Sequence, residues 1–186
     1  MASPLNVGAT PSFIELQQAW SHMETFVGLT EREREAMLRS VPVIAAAVPE
    51  LLDAIYEHLV SFDETRKILT RSRGPELQRY LEDRKDHLAE WFVMILGEPD
   101  RKRMIQFLRG VALVHTARTG DPTRIVPPRY MLGLTGFLQA RVTMVLVGAM
   151  PDRIDEAVTA ALGWSRFLIV QLDLFLNVMV PGWSGA

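Results

Sequence analysis

Apolar residues recur at three- and four-residue intervals along nearly the whole chain, while alternating Val/Ile/Thr/Tyr runs bounded by Asn-Gly or Asp-Gly turns are absent. This period predicts an all-α domain. Caps and prolines mark the helix starts: Thr30 before Glu31 and Glu33, Pro49 before Glu50, Gly74-Pro75-Glu76, Pro99-Asp100, Pro127-Pro128 and Pro151-Asp152. Gly74, Gly97, Gly120 and Gly148 read as stops. The pattern places helices over 12–25, 30–40, 43–61, 64–71, 75–96, 100–118, 127–149 and 152–180. Connections are short apart from Thr119–Val126, an irregular loop carrying Gly, Asp and Pro. No repeat and no compositional break divides the chain, so 1–186 reads as one domain, with a flexible 1–11 segment and a short tail at 181–186.

The last predicted helix differs from the rest. From Ala157 to Val180 apolar side chains occupy nearly every side of the helical wheel, interrupted by Arg166, Gln171 and Asp173. A helix apolar all round is buried on more than one side. Two arrangements satisfy that demand: the central helix of a monomer, or a helix packing one face on its own core and the other on a second copy in an isologous homodimer. The second is the expectation, through the last two helices.

Composition narrows the chemistry. Hydrophobic residues make up 48% and charged ones 23% of 186 residues, a balance that folds rather than stays disordered. A net charge of −2 supplies no positive field for nucleic acid. The absence of cysteine excludes disulfides, thiolate metal sites and thioether-linked cofactors, and suits a cytoplasmic location. Arg166 and Asp173 break the apolar C-terminal stretch, and Met1–Gln17 lacks a basic region followed by an apolar run, so neither membrane insertion nor a secretory signal is expected.

Familiar catalytic signatures are missing: G-x-S-x-G, G-x-G-x-x-G, the P-loop and H-E-x-x-H. Ala19, Ile55, Arg84 and Ala112 stand three residues before the four histidines, which removes the Glu-x-x-His motif of di-iron bundles. What remains is a set of helices whose apolar stripes each carry one polar residue. Met104, Leu108, Val111 and His115 follow steps of four, three and four, which turns His115 inward. Such an imidazole is either a core residue bonded to a carbonyl or, in the same geometry, an axial ligand of haem iron. Leu77, Leu81, Arg84, Leu88, Trp91 and Ile95 form a second wall with Tyr80 and Phe92 beside it, and Arg84 must reach either water or an anion such as a haem propionate. His87, on the flank of that helix, is a second propionate candidate. Leu52, Ile55, Tyr56 and Leu59 make a third wall, to which Tyr56 brings a phenol that is either a core residue or a donor to dioxygen.

The segment FLRGVALVHTARTGDPTRIVPPRYMLGL, Phe107 to Leu134, resembles the proximal region of protoglobins and globin-coupled sensors. YLEDRKDHLAEWFVMILGEPD, Tyr80 to Asp100, is similar to their distal helix, and Tyr56 stands 59 residues before His115, close to the position of their distal tyrosine. The resemblance covers roughly residues 20 to 180, and the additional N-terminal helix around Ser12 to Phe26 agrees with it. It departs from the family at Thr119-Gly120-Asp121, where a Gly-Leu follows the arginine, and at Ile55, where some members carry an aromatic.

The resemblance implies a globin fold holding haem b, with His115 as proximal iron ligand and Tyr56 as distal donor. It further implies Leu88 over the iron, a slot lined by Leu59, Phe92, Val111, Tyr130 and Phe137, and reversible binding of O2, CO or NO. With no output module after Val180, a stand-alone globin is expected over a sensor. Other readings remain at this point: a haem enzyme acting on peroxide or nitrogen oxides, a haem-free globin-like signalling domain, and a helical interaction domain.

Overall fold

The computed structural model describes residues 10–70, 77–97, 100–116 and 125–183, and among these there is no strand. The helices are α1 (Phe13–Phe26), α2 (Glu31–Arg39), α3 (Val41–Ser61), α4 (Asp63–Thr70), α5 (Leu77–Leu96), α6 (Arg101–Val114), α7 (Pro128–Ala149) and α8 (Ile154–Met179), with a 3-10 turn at Pro151–Arg153. The all-α expectation holds, and α1 is the additional N-terminal helix. Ser12 with Glu15 and Thr30 with Glu33 form reciprocal capping boxes, which satisfy the first orphan N–H groups of α1 and α2. The Asp100 carboxylate accepts from the Lys102 N–H at 2.9 Å and starts α6.

Three sequence readings need correction. Pro49 does not start a helix: it lies inside α3, beside Ala45 and Ala46, whose exposure leaves water free to meet the carbonyl that proline cannot serve. Gly148 is a helical residue of α7 rather than a stop. The helix predicted over 100–118 ends at Val114, where the chain tightens: the His115 and Thr116 N–H groups donate to Ala112 and Leu113 at i−3, and the Thr116 hydroxyl donates to Leu113 at 2.8 Å. The loop proposed for 119–126 lies mostly outside the described residues.

Helix α8 is the axis of the fold and packs on α7, α2, α1 and α6. Its inner residues Ala157, Ala160, Trp164, Phe167, Val170, Leu174 and Val178 are buried. Gly163 is where α2 crosses: a Cβ there would stand 2.5 Å from the Glu33 carbonyl oxygen, so only glycine admits that approach. Polar bonds lock the crossing. The Trp164 indole N–H donates to Ser40 Oγ at 2.9 Å, Ser40 Oγ donates to the Met37 carbonyl at 2.7 Å, and Arg166 pairs with Glu33 while donating to the Gly28 carbonyl at 2.8 Å. The chain itself thus covers most of α8. Ile154, Val158 and Leu162, spaced by four, remain as one exposed apolar stripe. Met144 and Val147 of α7 are exposed as well, and only 17% of the most apolar window of α7 is buried. By length and composition, α7 and Pro151–Met179 could each cross a bilayer.

Candidate functional site

Helix α3 packs on both α5 and α7, and α6 packs on α8. The polar residues singled out above fall on these elements. In α3 Ile44, Leu51 and Ile55 are fully buried, and Leu52, Tyr56 and Leu59 are half-buried against the same core. In α5, Phe92 and Ile95 are the deeply buried residues, so Phe92 belongs to the core face rather than beside it, with Leu88 and Trp91 half-buried. The side chains of Leu77 and Leu81 lie outside the described residues.

His115 is the C-cap of α6, one residue past the helix rather than in its last turn. Its Nδ1 stands 2.7 Å from the Val111 carbonyl oxygen. A carbonyl can only accept, so Nδ1 carries the proton and donates, and Nε2 keeps its lone pair. Burial pushes the imidazole below its ordinary value of 6.5; the Val111 bond opposes this, and the charge of Arg84 adds to it. The ring is therefore a neutral, oriented base. Phe175 of α8 lies beside it, with ring centroids 6.3 Å apart.

Arg84 is the residue that ties the two walls together. Its charge acts on His115 and also on the Tyr56 phenol, which burial raises above its ordinary value of 10.0, with Arg84 opposing and Tyr80 assisting. Tyr56 accordingly stays a protonated donor at any physiological pH. The Arg84 guanidinium carbon is 5.3 Å from the centroid of the Tyr80 ring, a cation–π contact, and its Nε is buried without a hydrogen-bond partner.

Other predicted residues sit around this group or apart from it. His87 is exposed, with Nδ1 2.6 Å from the Asp83 carbonyl of its own helix. Val111 is half-buried and supplies the carbonyl that orients His115. Tyr130 is half-buried in the first turn of α7. Phe137 faces α3, stacked on His58 at 4.1 Å with Arg141 over its ring at 5.3 Å.

The sequence reading missed two features. Phe175 is one apolar residue among many in α8, and periodicity alone does not set it apart. The Trp91 indole N–H donates to Gln171 Oε1 at 2.8 Å, and Gln171 is 4% exposed with no partner for Nε2. The available signal was a glutamine interrupting an otherwise apolar helix, one turn before Phe175.

His115 at the end of α6 and Tyr56 on α3 are both half-buried in an all-helical core. The protoglobin family model matches residues 16–182, and the chain belongs to the protoglobin family. Comparison with curated proteins gives no match. Membership implies a globin-type gas-binding protein with a haem cofactor. The residues fit that group. Haem asks for one free imidazole nitrogen, donors for its carboxylates and its gas ligand, and apolar walls. His115 Nε2, the Arg84 guanidinium with its unpartnered Nε and the Tyr56 phenol supply the polar part, and Leu88 and Phe92 supply apolar surface.

Proposed function

We propose that this protein binds haem b and takes up diatomic gases, O2, CO or NO, reversibly, for sensing, storage or scavenging in the cytoplasm. The observation that carries the reading is the bond between His115 Nδ1 and the Val111 carbonyl, which fixes the tautomer and aims Nε2 away from the helix that bears it. Haem would supply an iron centre able to accept a gas. His115 holds the metal side, oriented and neutral. Tyr56 offers an O–H that no nearby base removes, a donor suited to a ligand with partial negative charge. Leu59, Leu88, Phe92, Val111, Tyr130 and Phe137 would line the slot and keep water out.

The exposed apolar residues Met144 and Val147 of α7 and Ile154, Val158 and Leu162 of α8 support a homodimer through these two helices. They lie near the shared end of an antiparallel pair, where a two-fold copy would cover both.

The absorption spectrum of the reduced protein with and without CO tests the gas-binding reading. The expected result is a Soret band that shifts with CO and disappears in His115→Ala. A colourless protein after haem supplementation, with helicity intact, would overturn it.

A further inference from the structure

Gln171 is 4% exposed, in a stretch of α8 where Phe167, Leu168, Val170 and Leu174 are buried as well. Its partner is Trp91 of α5, 80 residues earlier in the chain, whose indole N–H donates to Oε1 at 2.8 Å. An indole nitrogen only donates, so the amide oxygen must face Trp91, and Nε2 is turned away with its hydrogen bonds unmade. Burying an amide with unmade donors is costly, and a leucine in its place would carry no such cost. What an apolar side chain cannot do at this position is accept from the indole.

Both ends of the bond lead to the haem slot. On α5 the Trp91 ring meets the ring of Phe92 edge-on, with centroids 4.8 Å apart, and Phe92 is 1% exposed. On α8 Phe175 follows Gln171 by one turn on the same face, and its ring centroid is 6.3 Å from that of His115. Helix α5 packs chiefly on α3, whereas α6 packs chiefly on α8. The two walls that face each other across a slot therefore belong to different parts of the packing, and the Trp91–Gln171 bond joins them.

Resting on the haem reading above, we infer that Gln171 and Trp91 are positioning residues, whose hydrogen bond braces α5 against α8 and fixes the spacing between the Phe92 wall and the His115 imidazole. Each acts through another side chain. Gln171 holds the turn of α8 that places Phe175 beside His115, and Trp91 holds Phe92. With the bond gone, α5 is free to move off α8, the slot loosens, and the imidazole shifts with Phe175.

Gln171→Met keeps the length of the side chain and removes the acceptor, while Trp91→Phe keeps an aromatic ring and removes the donor. Resonance Raman of the ferrous wild type, the two single variants and the double variant reads the iron–histidine stretch, and haem transfer to an apo-globin acceptor is timed in parallel. NMR follows the indole N–H signals of the CO-saturated protein. The expected result is a displaced iron–histidine band in each single variant, with haem transfer about two- to tenfold faster, the worth of one hydrogen bond between uncharged groups. The double variant should be no faster than the singles, because its second substitution removes a bond already lost. The Trp91 indole signal, identified by its loss in Trp91→Phe, should exchange with solvent slowly in wild type and quickly in Gln171→Met. An iron–histidine band unmoved in coloured variants overturns the inference and leaves the pair as a plain core contact, and so do rates that add in the double variant. A Trp91 indole N–H that exchanges in wild type as fast as that of Trp183, 44% exposed, overturns it even where the variants fail to fold. A colourless wild type removes the haem reading itself, and this inference with it.

Discussion

The imidazole of His115 is oriented by the carbonyl oxygen of Val111, 2.7 Å from Nδ1 and four residues earlier in the chain. That contact replaces the backbone bond α6 would have made had it continued, so the end of the helix and the orientation of the ring are one event. Replacing His115 by alanine is expected to abolish haem retention. Isolated protein should then lack a Soret band while far-ultraviolet circular dichroism keeps its helical form; a coloured variant would move the iron ligand elsewhere.

Tyr56→Phe should speed dioxygen release by about ten- to a hundredfold, the worth of one hydrogen bond to a charged acceptor at ~1.4 kcal/mol per decade. CO release should scarcely change, because CO carries less negative charge for the phenol to meet. Stopped-flow displacement of each gas checks the contrast. Equal acceleration of both would mean that Tyr56 acts by filling space.

Gly163→Ala places a Cβ 2.5 Å from the Glu33 carbonyl oxygen, 3.1 Å from its carbon and 3.2 Å from the Met37 Cβ. Backbone cannot yield as a flexible side chain does, so α2 must move off α8. Overpacking of this kind costs about 1–3 kcal/mol, and thermal melting should report the loss. An unchanged melting curve would show that α2 adjusts freely on α8.

Acid should loosen the same crossing. Burial raises the Glu33 pKa, but bonds from the Thr30 backbone and hydroxyl and from Arg166 outweigh it and hold the carboxyl below its ordinary value of 4.5. A carboxyl depressed in the folded state adds stability above its unfolded value, and this is lost as pH falls from about 4.5 through the folded value. Glu33→Gln should therefore be less stable than wild type at neutral pH, with a shallower decline below pH ~4.5. Denaturant midpoints at several pH values measure both slopes, and parallel slopes would remove Glu33 from the acid response.

Val158→Lys and Met144→Lys put charges among the exposed apolar residues of α8 and α7, where the native side chains are 44% and 64% exposed. In a dimer built on this face, each variant should sediment as a monomer at concentrations where the wild type is paired, without loss of helicity. A wild type that sediments as a monomer would leave the stripe as ordinary surface.

Much of this molecule is local, and local physics is written in residue order. Helical period, the Ser12–Glu15 and Thr30–Glu33 capping boxes and the inward step of His115 depend on neighbours three or four residues away, so all-α class, helix order and the chief ligand candidate were legible in the chain itself. The resemblance around Phe107–Leu134 added the role of that histidine. Other features depend on residues brought together from a distance. That α6 stops at Val114 follows from competition between helix bonds and the capping contacts of His115 and Thr116. That α8 is covered mostly by its own chain follows from Gly163 admitting α2 and Trp164 reaching Ser40, 124 residues away. Only packing decided that Arg84 shares one field with Tyr56 and His115, because charge acts through space and periodicity along a single helix carries no information about what another helix brings opposite it.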